Sequence, residues 1–208
     1  MDRARYLLSQ PNDDDAPSAD GRRRRGQDSR ARIVQAMLDL VREGYVSPSA
    51  EQVAGRAEVG LRTVFRHFKD LESLYREMSA VIEAELMSLA DTPFKAADWR
   101  GRVLELVERR GWAYERVAPF KRASEVHRHQ STALDLHNAK LVAASREILR
   151  RELPAALAAD RDLFEAIDLL LSFDAWRRLR QDQALEPAAT TEVLQAMISA
   201  LLDRVAGA

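Results

Sequence analysis

The segment Ser49 to Phe68, reading SAEQVAGRAEVGLRTVFRHF, constrains this chain more than any other part of it. Its pattern is that of two short helices joined by a tight turn. Ser49 followed three residues later by Gln52 is a capping-box pair, whose two side chains each accept a backbone N–H at a helix start. Val53, Ala54 and Ala57 give that helix a narrow apolar face, and the two alanines let a second helix cross at short range. Glu58, Val59 and Gly60 supply the turn. In the second helix Val64 and Phe68 point to one side, which leaves Leu61, Arg62, Thr63, Phe65, Arg66 and His67 largely on the other faces. A short helix with guanidinium, hydroxyl and imidazole donors on its outer side has the chemistry to read base edges and clamp phosphates.

Charge along the chain agrees with that reading. The net charge is only −1, but between Arg22 and Arg76 twelve Lys/Arg stand against seven Asp/Glu, a surplus of +5 that leaves −6 for the rest. A basic module joined to an acidic one is what attraction to phosphate at one end requires. The 208 residues suffice for one or two compact domains, and 46% hydrophobic with 31% charged residues is ordinary for a soluble globular protein. With no cysteine there is no disulfide scaffold and no thiolate chemistry. No apolar run approaches the ~18 residues of a membrane span and no leader pattern opens the chain, so no membrane partner and a cytoplasmic location are expected.

The coarse order is all-helical. Residues 1–27, with Pro11, Asp13 to Asp15, Pro17, Gly21 and Arg22 to Arg25, hold too little apolar surface to fold and are expected to form a disordered arm. That arm is either a basic strand along DNA or a solvated charged tail. A first helix is expected from about Ser29 to Glu43 on the stripe Ile33, Ala36, Met37, Leu40 and Val41, capped by Gly44. After the pair of short helices, Asp70 caps a long fourth helix reaching about Ala90. Helical spacing resumes from Asp98 to a stop at Pro119, with a short helix or loop over Phe120 to Gln130. It returns from Ser131 to Pro154, from Asp160 to about Ala184, and from Thr190 to Val205. The expected division is a helix-turn-helix DNA-binding domain over 28–76 and a helical ligand-binding and dimerisation domain over 77–208.

From about Arg30 to Tyr75 the chain resembles the DNA-binding domain of the TetR family of bacterial transcriptional regulators. The elements that carry the resemblance are Gly44-Tyr45, Ser49, Val53-Ala54, Thr63, the Phe-Arg-His-Phe box at 65 to 68, and the helix from Asp70 onward. Glu58 stands where that family often has glycine in the turn, Arg62 where it has glycine before the threonine, and Leu71 where it tends to have lysine. The expected partner is a double-stranded DNA operator. Arg62 and Thr63 are candidates for base contacts and Phe65 for a sugar or a thymine methyl. Tyr45, Ser49, His67 and Lys69 are candidates for phosphates, with Leu61 and Arg66 on the same outward surface. For Thr63 and His67 a cap or helix-packing role is the competing reading.

Two further expectations concern the remaining helices. The apolar residues of 160–184 and 190–205 cover well over half of each helix, more than one domain is expected to bury, so a homodimer is expected through Phe164, Ile167, Leu171, Trp176, Leu194, Met197, Ile198 and Leu201. The resemblance implies the same dimer, and it implies a pocket for a small-molecule effector that releases DNA. Candidate lining residues are Trp99, Trp112, Tyr114, Phe120, His127, His137, Phe173 and Trp176, each of which could equally be ordinary core. No metal site is expected, because His127 and His129 diverge on a helix and His137 has no ligand pattern beside it. With no phosphate loop, nucleophile elbow or nucleophile–base pair there is no basis for an enzyme, and no cofactor is expected. The reading is a repressor released by a ligand. An activator of the same fold, or a helical interaction protein without specific DNA binding, would share these features.

Overall fold

The computed structural model describes residues 19–128 and 131–206, and every described element is helical. The first four helices are α1 (Ala19–Arg42), α2 (Ala50–Arg56), α3 (Leu61–His67) and α4 (Leu71–Ala90). The long pair α5 (Trp99–Arg128) and α6 (Thr132–Glu152) follows, then the short α7 (Ala155–Ala159), α8 (Arg161–Leu170) and α9 (Phe173–Arg177), a π-helical turn over Arg178–Asp182, and α10 (Pro187–Ala206).

Local signals fix several ends where the sequence puts them. Gly44 closes α1 at φ 102°, a conformation that costs a glycine little. The Asp70 carboxylate accepts the Ser73 N–H at 2.8 Å at the start of α4, and the Ser131 hydroxyl accepts the Leu134 N–H at 3.2 Å at the start of α6. Helix α10 begins three residues before the expected Thr190, at Pro187, whose missing N–H costs nothing in a first turn.

Three elements differ from expectation. Residues 19–27 are not an irregular arm but the first turns of α1, whose helix begins about ten residues before Ser29; residues 1–18 of the expected arm lie outside the described residues. Helix α5 does not stop at Pro119 but runs through it to Arg128. The lost bond would have served the Glu115 carbonyl, and Glu115 is on the exposed side of the helix where water can replace it. What continues the helix is burial, because Phe120 and Ala123 beyond the proline pack against the first four helices. The expected single helix over 160–184 is three pieces. Its break falls at Leu171-Ser172, where the Leu171 carbonyl accepts Tyr114 Oη at 2.8 Å and Arg110 Nη1 at 3.2 Å. Ser172 caps α9 through the Ala175 N–H, restarting the helix.

Two main cores result, and α5 belongs to both. One holds the inward faces of α1 to α4 with Val117, Phe120 and Ala123 of α5 and Leu134 of α6. The other holds Val103, Leu106 and Val107 of α5 with the inward faces of α6, α8 and α10. Phe164, Ile167, Leu171, Leu194 and Ile198 lie inside that second core, and Trp176 stacks on Phe173 with centroids 5.4 Å apart. This corrects the expected interface: six of its eight residues are already buried by their own chain, because α5 and α6 cover the faces that the helical pattern left open. Of the eight, Met197 is exposed and Leu201 is half-buried.

Tyr75 of α4 ties the α1–α2 loop to this framework. It is 1% exposed, donates to the Val46 carbonyl at 3.3 Å, and burial pushes its phenol up to about 12. Tyr75→Phe keeps the ring and deletes the bond, and we expect about 1 kcal/mol lower stability in urea unfolding.

Candidate nucleic-acid interface and interior cavity

The capping box at Ser49 forms in full: Ser49 Oγ accepts the Gln52 N–H at 3.2 Å and Gln52 Oε1 accepts the Ser49 N–H at 2.8 Å. Val53 and Ala54 of α2 and Val64 of α3 are buried together, with Phe68 beyond them. That leaves Leu61, Arg62, Phe65, Arg66 and Lys69 exposed on one side, with Phe65 50% exposed. Thr63 and Ser49 are half-buried, and Tyr45 is exposed in the α1–α2 loop, just after Gly44. Burial of Val64 and Phe68 thus leaves the opposite face of α3, with Leu61, Arg62, Phe65 and Arg66, open to solvent.

His67 is the exception within the group. Its Nε2 is buried without a partner. Burial, and then the charges of Arg66 and Arg30, hold its imidazole below the ordinary value of 6.5. A neutral ring with its proton on Nδ1 leaves only an unpaired acceptor inside, so Nδ1 is the atom available to a phosphate. Gly26, in the unexpected part of α1, lies beside this ring: a Cβ there would stand 4.0 Å from His67 Cε1.

Arg30 of α1 is a residue that pattern reading missed. Its Nη1 donates to the His67 carbonyl at 2.8 Å, its Nη2 reaches Glu77 of α4 at 2.7 Å, and its guanidinium lies 4.4 Å from the centre of the Phe68 ring. One side chain therefore pins the end of α3 to α1 and α4. No local spacing announces it, since its partners are 37 and 47 residues away.

The second candidate site is interior. A cavity of about 240 Å³ lies among α4, α5, α6 and the α8–α9 break, and one of about 70 Å³ adjoins it toward α1. Tyr114 and Phe173 line the larger, and Phe120 and His137 the smaller. The other expected lining residues are corrected. Trp99 packs on the second core, Trp112 is 52% exposed beneath Arg116, and Trp176 lines a separate void of about 10 Å³. The His127 side chain lies outside the described residues. Arg109, Arg110, Lys121 and Asn138, which the aromatic search passed over, also face the larger cavity. Two contacts join this region to α4: Ser131 Oγ donates to Glu72 at 2.7 Å, and His137 Nδ1 stands 3.4 Å from Glu83.

Among the described residues, no group of His, Cys, Asp and Glu is arranged to hold a metal ion, and no helix is long and apolar enough to cross a membrane. No protein-family model matches the sequence, and no curated protein is significantly similar to it. Solved structures do match. A candidate TetR-family transcriptional regulator from Mesorhizobium loti aligns over 86% of this chain and 97% of its own at TM-score 0.60 and 18% identity. The fold is that of TetR-like regulators. A candidate transcriptional regulator from Streptomyces coelicolor aligns over 83% of this chain and 97% of its own at TM-score 0.58 and 25% identity. A second from the same organism aligns over the same shares at TM-score 0.53 and 18% identity. These neighbours are described as regulators, not enzymes.

The turn before α3 shows what the Glu58 departure costs. Glu58 follows the C-cap of α2 at φ 53°, a left-handed conformation that disfavours a side chain by about 1–2 kcal/mol. Glu58→Gly should raise stability by about 1 kcal/mol in chemical denaturation, with the far-ultraviolet spectrum unchanged.

Proposed function

We propose that the chain is a sequence-specific DNA-binding transcriptional regulator, acting as a homodimeric repressor that a small molecule releases. The observation that carries this reading is the outward face of α3, where Leu61, Arg62, Phe65 and Arg66 stay exposed while Val64 and Phe68 anchor the helix from behind. A helix held so by its inner face can enter a major groove without loss of its own packing. Arg62 and Thr63 then meet base edges and Phe65 a sugar or thymine methyl. Tyr45, Ser49, Lys69 and His67 through Nδ1 hold phosphates. Residues 28–76 form the reading head and α4 joins it to a larger domain that binds ligand and partner. Arg23 and Arg24, exposed on the first turns of α1, are further candidates for phosphates. A DNA target places the protein in the cytoplasm.

Gel shifts on operators selected from random DNA test the head. Arg62→Ala should shrink the difference in affinity between the selected and scrambled sequences by about tenfold, as loss of a base contact worth about 1–3 kcal/mol requires. Lys69→Ala should weaken both equally and lower the slope of log affinity on log salt by about 1. Equal weakening of both sequences by Arg62→Ala would remove it from base reading.

For the dimer, buried residues give way to an exposed row. Val193, Met197 and Leu201 recur every four residues on α10 outside its buried stripe, and Leu169 of α8 is 63% exposed. A two-fold axis there would cover apolar surface that water otherwise meets. Met197→Glu should halve the mass seen by light scattering, to that of one 23.5 kDa chain. An unchanged mass would place the interface elsewhere.

The release step rests on placement. A ligand between α5 and α6 touches His137, whose partner Glu83 is on α4, and α4 carries the head. Movement there changes the spacing of two heads, and spacing decides whether both reach successive grooves.

A further inference from the structure

We infer that the interior cavity takes an elongated amphipathic monocarboxylate, its carboxylate on Arg110 and its hydrocarbon chain extending toward Phe120 and Leu134. The inference deepens the regulator reading by naming the chemistry of its effector, and its cavity component stands apart from DNA binding.

Arg110 is the group that sets the charge of the inner end. Its Nη1 donates to the Leu171 carbonyl at 3.2 Å and its Nη2 to the Ser145 carbonyl at 2.6 Å. Carbonyls orient a guanidinium but carry no neutralising charge, and among the described residues no carboxylate reaches Arg110 within ion-pair distance. The neighbouring charges on the cavity wall are accounted for differently. Arg109 is met by Glu105 at 2.7 Å, Asp168 shares Arg146 with Glu165 at 2.6 Å, Lys121 donates to the Asn138 side-chain carbonyl at 3.2 Å, and Asp174 and Glu125 are exposed at the rim. Two used donors leave further N–H groups on the Arg110 fork, the geometry that a carboxylate accepts most strongly. Tyr114 and Ser172 line the cavity beside it, with their hydroxyl protons already given to the Leu171 and Leu169 carbonyls, so the anionic group is left to Arg110.

The far end has the opposite character. The smaller cavity is walled chiefly by hydrocarbon, from Met78, Ile82, Leu86, Phe120, Leu134 and Leu141, and it meets the larger one at the apolar Leu86, Val117 and Leu141 and at the polar Lys121, Glu125 and Asn138. A compact polar ligand would leave that end unfilled and a neutral lipid would leave Arg110 unanswered. One molecule with an anionic head and a straight apolar chain satisfies both ends. An organic cation of the same shape would meet Arg110 as a like charge.

Calorimetric titration of the full chain with decanoate, 1-decanol, decyltrimethylammonium and hexanoate tests this directly. We expect decanoate to bind at least tenfold tighter than 1-decanol, the cation to give no saturable binding, and hexanoate to lose at least tenfold through its missing methylenes. Arg110→Met should bring decanoate to the affinity of 1-decanol while leaving 1-decanol unchanged. Should that variant fail to fold, the acid and alcohol comparison on the unaltered protein decides alone. Equal binding of acid and alcohol, or tighter binding of the cation, overturns the assignment, and equal binding of hexanoate and decanoate overturns the place given to the chain. Gel shifts on the same preparation separate the two readings: DNA binding without decanoate binding removes the ligand class only, and decanoate binding without DNA binding removes the regulator only.

Discussion

Helix α5 is the member on which the rest depends, because it gives three buried side chains to each of the two main cores. Its first half buries Val103, Leu106 and Val107 against α6, α8 and α10, and its second half buries Val117, Phe120 and Ala123 against α1 to α4. Within the second set, between Val117 and Phe120, stands Pro119, which costs a helix interior about 3 kcal/mol. Complete burial of one phenylalanine contributes about 1.5–3 kcal/mol, and Phe120 is joined by Val117 and Ala123, so packing outweighs the proline. The cavity lies along this same rod, so a molecule against Val117 touches the helix that seats Phe120 in the core of α1 to α4.

The break at Leu171 is the complementary feature. A helix can be interrupted where something else takes its carbonyl, and Arg110 and Tyr114 take that of Leu171 from across the core. Burial, the largest influence on it, raises the Tyr114 phenol, so it stays a neutral donor over the physiological range. The interruption turns α9 so that Phe173 and Trp176 close on Tyr114, with Tyr114 and Phe173 centroids 5.5 Å apart and edge-on. It also opens the cavity wall at Ser172 and Phe173. A fold-level feature and a candidate site therefore share one hydrogen-bonded knot.

The parts of this architecture that were legible beforehand are those whose signals are short in range. The Ser49 and Gln52 pair, the Val64 and Phe68 spacing, the glycine after α1 and the Asp70 cap all act over four residues or fewer, and all stand where their pattern puts them. The illegible parts are long in range. Arg30 clamps the end of α3 through partners far along the chain. Pro119 reads locally as a stop, and only the bulk of Phe120 meeting α1 to α4 carries the helix past it. Trp99 and Trp112 carry the composition of a pocket, but their helix turns one onto the core and the other to solvent.

By itself the sequence determined an all-helical chain, the two short helices with their exposed basic face, and the resemblance to TetR regulators, because caps and the 3.6-residue period are properties of neighbouring residues. The tertiary structure decided where each apolar face goes. Periodicity says that Phe164, Ile167, Leu194 and Ile198 must be covered, but a second copy and the chain's own α5 and α6 would cover them with the same apolar chemistry. Only the path of the chain distinguishes the two, and it buries these residues internally while leaving Val193, Met197 and Leu169 for water or a partner.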